Sequence, residues 1–137
     1  MSRLFLDTNI VVDLLGERHP YCEDAAQLFA KAYHKQVQLF VSPITFATAS
    51  YLLEKHNKQE NIRGLLSNLR QLVRVATADE RVVDDAILSG FSDFEDALQY
   101  YSAVKAKADF IITRNGKDFT LSKIPVLTAA EYLAKIK

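Results

Sequence analysis

Short apolar runs along this chain give way to stretches in which apolar residues recur at every third or fourth position. The first pattern predicts buried strands and the second amphipathic helices. Arg3 to Leu6 is such a run and ends abruptly in Asp7-Thr8-Asn9. Ile10 to Leu15 predicts a short helix closed by Gly16. Pro20 opens a longer helix through Gln36, with Ala25, Leu28, Phe29 and Ala32 on one face. Gln38 to Ser42 (QLFVS) predicts a second strand, followed by helices over Thr45 to His56 and Glu60 to Leu72. A third strand falls at Val73 to Ala76, and a helix from Asp79 to Leu88 is stopped by Gly90. Phe94 to Ala108 is the next helix, Phe110 to Thr113 (FIIT) a buried strand and Pro125 to Leu127 a fifth strand. The capping box Thr128-x-x-Glu131 opens the last helix.

Alternation of this kind specifies an α/β protein: a three-layer α/β/α fold around a central, mainly parallel sheet of four to five strands. The 137 residues suit one domain, 1–137, with one core. Lysine plus arginine number 17 and so do aspartate plus glutamate, so uniform attraction to nucleic acid is not expected and a polyanion must meet a local patch. Cys22 is the only cysteine, which excludes an internal disulfide and fits a reducing, cytoplasmic setting. Asp7, Asn9 and Asp13 interrupt the first apolar run, making it a poor secretory signal, and no stretch is long and apolar enough for a membrane helix.

In an open parallel sheet the chemistry gathers beyond the carboxyl ends of the strands. Asp7 follows the first strand, Thr113-Arg114-Asn115-Gly116-Lys117-Asp118 follows the FIIT strand, and Asp93 and Asp96 begin the helix leading into it. Each has a simpler explanation. An aspartate after a strand commonly caps the next helix, acids in a first turn complement the helix dipole, and Asn-Gly is a turn signal. Asp109 lies at the opposite end of its strand and reads as structural. Taken together, acids at one sheet edge repel unless a cation is present, and such hard oxygen ligands suit magnesium or manganese. His19, His34 and His56 fall on unrelated segments and Cys22 stands alone, so no zinc constellation is expected.

LFLDTNIVVDLL resembles the opening signature of PIN domains, and DFEDALQYYSAVKAKADFIITRNGKDF resembles their second, with VSPIT between them. The resemblance runs the whole chain and points to the small VapC-type toxins, ribonucleases held inactive by a cognate antitoxin. It implies that Asp7, Asp96 and Asp118 hold Mg2+ (or Mn2+) and that Asn9, Asp93, Thr113 and Asn115 assist. Arg114 and Lys117 would then meet the phosphates of single-stranded or structured RNA. Asp7→Asn is expected to preserve stability, being nearly isosteric.

The chain departs from the family in one place. A glutamate usually stands six residues after the serine matching Ser42, and here that position is Thr48. Thr48 is expected to face the acidic cleft, and its lost charge keeps open a second reading, a degenerate PIN domain that binds RNA or protein without cutting. A phosphatase of the haloacid dehalogenase type would need an aspartate where Asn9 stands. The resemblance also implies a homodimer, for which Phe29, Tyr33, Leu65, Leu66 and Leu69 offer apolar surface.

Overall fold

The computed structural model describes residues 1–56 and 61–136. Its strands are β1 (Ser2–Leu6), β2 (Val37–Val41), β3 (Val73–Val75), β4 (Phe110–Ile112) and β5 (Val126–Leu127). They form one sheet in the order β3-β2-β1-β4-β5. Every pairing is parallel, with Leu4 opposite both Leu39 and Phe110, and Ile111 opposite Val126. The helices are α1 (Thr8–Leu15), α2 (Tyr21–Tyr33), α3 (Pro43–His56), α4 (Ile62–Leu72), α5 (Glu80–Leu88), α6 (Phe94–Lys105) and α7 (Ala129–Lys135). The expected start of the fourth helix at Glu60 lies outside the described residues.

Side chains of a strand alternate between the two faces of its sheet, so a strand covered on both sides must be apolar throughout. Leu4, Leu6, Leu39, Val41 and Ile112 pack with α1, α2, α3 and α7 around Val11, Leu28, Ala49 and Tyr132. The intervening Phe5, Phe40 and Ile111 pack on the opposite side against Tyr100 and Ala103 of α6. Continuous apolar runs thus serve two cores at once, which completes the three layers.

Local signals explain the helix ends. Asp7, Asp79, Asp93 and Thr128 cap α1, α5, α6 and α7 through their side chains, and Thr128 with Glu131 forms the expected capping box. Where the sequence reading overran, the chain takes a left-handed residue to leave the helix. α2 stops at Tyr33 with Lys35 at φ 59°, and α6 stops at Lys105 with Lys107 at φ 57°. Gly16 closes α1 as expected, at φ −90°. A Cβ there would sit 2.9 Å from the Val12 carbonyl oxygen, while the positive φ falls on Glu17. Asp109 is structural, accepting a 2.8 Å hydrogen bond from the Arg3 backbone at the amino edge of the sheet.

The apolar residues assigned to a dimer surface divide. Phe29 and Leu69 belong to the core, Leu65 and Leu66 are half-buried, and Tyr33 is 70% exposed. Central-strand and surface positions should therefore respond very differently to truncation. Phe5→Ala, at a residue with no exposure, is expected to cost about 3–5 kcal/mol, whereas Tyr33→Ala should cost less than about 0.5 kcal/mol. Urea unfolding midpoints of the two variants against wild type measure both.

Candidate metal centre at the carboxyl edge of the sheet

The chain builds β1, β2 and β3 outward in one direction and then crosses back to lay β4 and β5 on the other side of β1. Strand order reverses between β1 and β4, and the loops diverging there leave a crevice. Asp7 leaves β1 and Thr113 leaves β4 at its two lips, tied by the Asp7 N–H donating to the Ile112 carbonyl at 3.0 Å.

Asp7 is buried, and a buried carboxylate requires donors. The Thr113 hydroxyl donates to its Oδ2 at 2.8 Å, the Thr8 N–H to its Oδ1 at 2.9 Å, and the Gln99 amide lies 3.5 Å from that same Oδ1. Thr113 is itself saturated: its hydroxyl oxygen accepts from Asn9 Nδ2 at 3.2 Å and from the Asn115 N–H at 3.0 Å. Asn9 and Asn115 therefore act through Thr113, and Thr113 through Asp7. Asn9 further accepts the Arg114 N–H at 3.3 Å, which seats the turn after β4 on α1.

This saturation revises the expectation for Asp7→Asn. Two lone pairs on the Thr113 oxygen are occupied, so its single hydrogen must go to residue 7, and the groups around the other oxygen are also donors. An amide placed there must set an N–H against a donor at one end or the other. Asp96 has no such constraint and supplies the cleaner isosteric variant.

Asp93 caps α6 by accepting the Asp96 N–H at 3.1 Å, and this sets Asp96 on the first turn facing the crevice's other charges. Desolvation, then Asp93, Asp7, Asp118 and Glu95 in turn, pushes the Asp96 carboxyl up to about 7. Burial raises Asp7 as well, against its hydrogen bonds, with Asp118 adding to the rise. Asp118 follows from a 3-10 turn, Gly116–Phe119, anchored by the buried Phe119. With Asp93, Asp96 and Lys117 it lines a cavity of about 250 Å³. Asp7, Asp96 and Asp118 thus lie within one another's electrostatic reach.

Arg114 stands elsewhere. Its guanidinium donates to both oxygens of the buried Asp13, at 2.6 and 3.1 Å, and lies 4.0 Å over the Tyr21 ring. That bidentate pair engages the cation on the α1–α2 side of the edge. Lys117 is the basic residue of that turn lining the acidic cavity. Sequence reading also missed two features. Gln99 is buried under the site, with Nε2 2.9 Å from Thr45 Oγ1 and 3.1 Å from Thr8 Oγ1, because a lone glutamine within a helix carries no signal of its own. The ligand atoms of His19, Cys22 and Glu23 lie within 4.8 Å of one another at the start of α2, correcting the view that Cys22 stands alone.

The donor set fits a hard divalent cation. It consists of carboxylate oxygens that raise one another's proton affinity, and an added positive charge relieves that repulsion. Among the described residues, no three of these carboxylates bring oxygens within 4.8 Å of one another. An ion there would keep several waters, as magnesium characteristically does. Without metal the same charges act on stability. A carboxyl whose folded value is raised favours the folded state while protonated, and that contribution is lost as pH climbs from its ordinary value near 3.8 through about 7. In metal-free buffer, the thermal midpoint of wild type should fall relative to Asp96→Asn between pH 5 and 8. Parallel pH profiles for the two proteins would contradict this electrostatic assignment.

The PIN domain family matches residues 3–117. Ribonuclease VapC1 of Aquifex aeolicus is 27% identical over 137 residues, covering 96% of this chain and 93% of that protein. A toxin–antitoxin complex from Klebsiella pneumoniae is similar with a TM-score of 0.67 and 26% identity, over 93% of this chain and 98% of that one. VapBC2 of Rickettsia felis, bound to a fragment of promoter DNA, shares the fold with a TM-score of 0.64 at 19% identity, over 91% and 96% of the two chains. With a parallel five-stranded sheet, the acidic crevice at its switch point and a family match over residues 3–117, the chain belongs to the PIN-domain family.

Proposed function

We propose that this protein is a metal-dependent endoribonuclease that hydrolyses phosphodiester bonds of single-stranded RNA, and is the toxin of a VapBC-like toxin–antitoxin pair. The observation that carries the reading is the set Asp7, Asp96 and Asp118 drawn into one field at the β1–β4 crevice. Its likeness to Ribonuclease VapC1 supports the same activity. The reading takes residues 1–137 as one cytoplasmic domain, and no helix among the described residues is long and apolar enough to cross a membrane.

Asp7, Asp96 and Asp118 would hold a magnesium or manganese ion. A divalent ion held there would supply Lewis-acid assistance to phosphodiester hydrolysis. The chain's own residues do the rest. Thr113 orients Asp7, and Asn9 and Asn115 orient Thr113, which would hold a ligand oxygen in place. Asp93 holds the first turn of α6 and adds negative charge beside Asp96. Lys117 meets the backbone of the substrate, which suits a chain whose charges otherwise balance.

A second reading is a scaffold that binds RNA or a partner without cutting, and the observation favouring it is the uncharged Thr48. The two separate cleanly. Labelled single-stranded RNA incubated with manganese should be cut by wild type, protected by chelator, and left intact by Asp96→Asn, whose fold is unchanged. Loss of at least about a hundredfold in rate is expected for removal of a metal-holding carboxylate. Equal lanes for wild type and variant in every condition would establish the scaffold. Asp7→Asn should lose activity likewise but also about 1 kcal/mol of stability, through the donor clash at Thr113.

The antitoxin reading includes a homodimer, resting on exposed Tyr33 and the half-buried Leu65 and Leu66 of α2 and α4. Sedimentation at micromolar concentration should give twice the 15.5 kDa chain mass, and Tyr33→Glu should shift it toward monomer. A wild-type monomer at that concentration refutes it.

A further inference from the structure

The seam between α3 and α6 is built in two steps. The deep step joins Thr45 to Gln99, Oγ1 to Nε2 at 2.9 Å, and Gln99 continues from there to Thr8 and Asp7. One turn further out on each helix stand Thr48, three residues after Thr45, and Glu95, four residues before Gln99. Residues three or four apart share a helix face, so the outer pair lies directly above the inner one. The Thr48 hydroxyl indeed reaches Glu95 Oε1 at 3.5 Å. That separation is too long for a strong bond, and its value is as a measure of direction. The exposed Glu95 side chain crosses from α6 toward the α3 position where an acid is missing.

Helix polarity explains why a carboxylate in the first turn of α6 is favourable, but not why this one leans across to α3. Its charge is felt at Asp96, along with those of Asp7, Asp93 and Asp118. Below it, Gln99 is 1% exposed and its Oε1 has no hydrogen-bond partner, an unsatisfied acceptor oxygen at the same seam. We propose that Glu95 supplies, from the opposite wall of the cleft, the carboxylate that PIN domains usually carry at the position of Thr48, and so completes the oxygen set for a divalent cation. The inference rests on the metal-nuclease reading above and adds to it a ligand displaced from one helix to its neighbour.

Manganese binding by the full-length chain, followed by the paramagnetic signal of the free ion, tests this without recourse to activity. Glu95→Gln should weaken binding roughly tenfold. Glu95→Asp should weaken it too, because the charge remains while the reach across the seam shortens. Adding Thr48→Glu to Glu95→Gln should return affinity close to the wild-type value, since the carboxylate is then offered from α3. Glu95 is exposed, so these variants should fold as wild type does, and circular dichroism checks that. Asp96→Asn serves as the reference for loss of a ligand of the proposed metal site. If Glu95→Gln binds like wild type while Asp96→Asn does not, the Glu95 assignment falls and the metal site stands. Wild-type affinity in Glu95→Asp, or no recovery on adding Thr48→Glu, also overturns it. Wild type that binds no manganese removes both readings together.

Discussion

A carboxylate buried at the crevice between β1 and β4 is the constraint on which the rest of this site depends. Asp7 can be there only if donors surround it. Those donors come from separate parts of the chain: Thr8 at the start of α1, Thr113 at the end of β4 and Gln99 on α6. The hydroxyls of Thr8 and Thr45, 2.8 Å apart, bring α3 into the same network. Satisfying one charge therefore sets the relative position of the elements that form the cleft, and the polar atoms around Asp7 and Thr113 are committed to one another.

The second determinant is how charge is divided across the edge. Arg114 is taken up by Asp13 and by the Tyr21 ring, on the α1–α2 side. A guanidinium released into the cleft would neutralise part of the carboxylate charge there. Held where it is, it also satisfies a carboxylate with 1% exposure that would otherwise be strongly destabilising in the core. The crevice is left with surplus negative charge, which raises the proton affinity of Asp96 and Asp7. The two carboxylate groups, Asp13 on one side and Asp7 with Asp96 and Asp118 on the other, thus have opposite uses within a short stretch of sheet edge.

The packing keeps this arrangement in register. Phe5 and Leu6 are fully buried on opposite faces of β1, so neither can slip by one position without exposing both cores. Asp7 is the next residue. Its placement at the lip of the crevice follows from the same alternation that holds the strand between its two layers of helices.

Much of this was legible in the amino-acid order. Apolar runs at Arg3 to Leu6, Gln38 to Ser42 and Phe110 to Thr113 declare strands buried on both faces, and the caps Asp7, Asp93 and Thr128 declare where helices begin, because these effects act within a few residues of chain. The gathering of Asp7, Asp96 and Asp118 at one edge followed from parallel connectivity alone. What the order could not decide was the partner each polar side chain takes when several lie near. Arg114 and Lys117 are equivalent cations of one turn in the sequence, yet the fold sets one on Asp13 and leaves the other at the acidic cavity. Cys22 reads as standing alone, although with His19 and Glu23 it falls within one turn of chain at the start of α2. Glu95 looked like an ordinary first-turn acid, and Gln99 like nothing in particular, until α3 was packed against α6. Strands and caps follow from local chemistry and so are written in the chain; pairings between side chains remote in sequence depend on angles between packed helices, which only the tertiary structure determines.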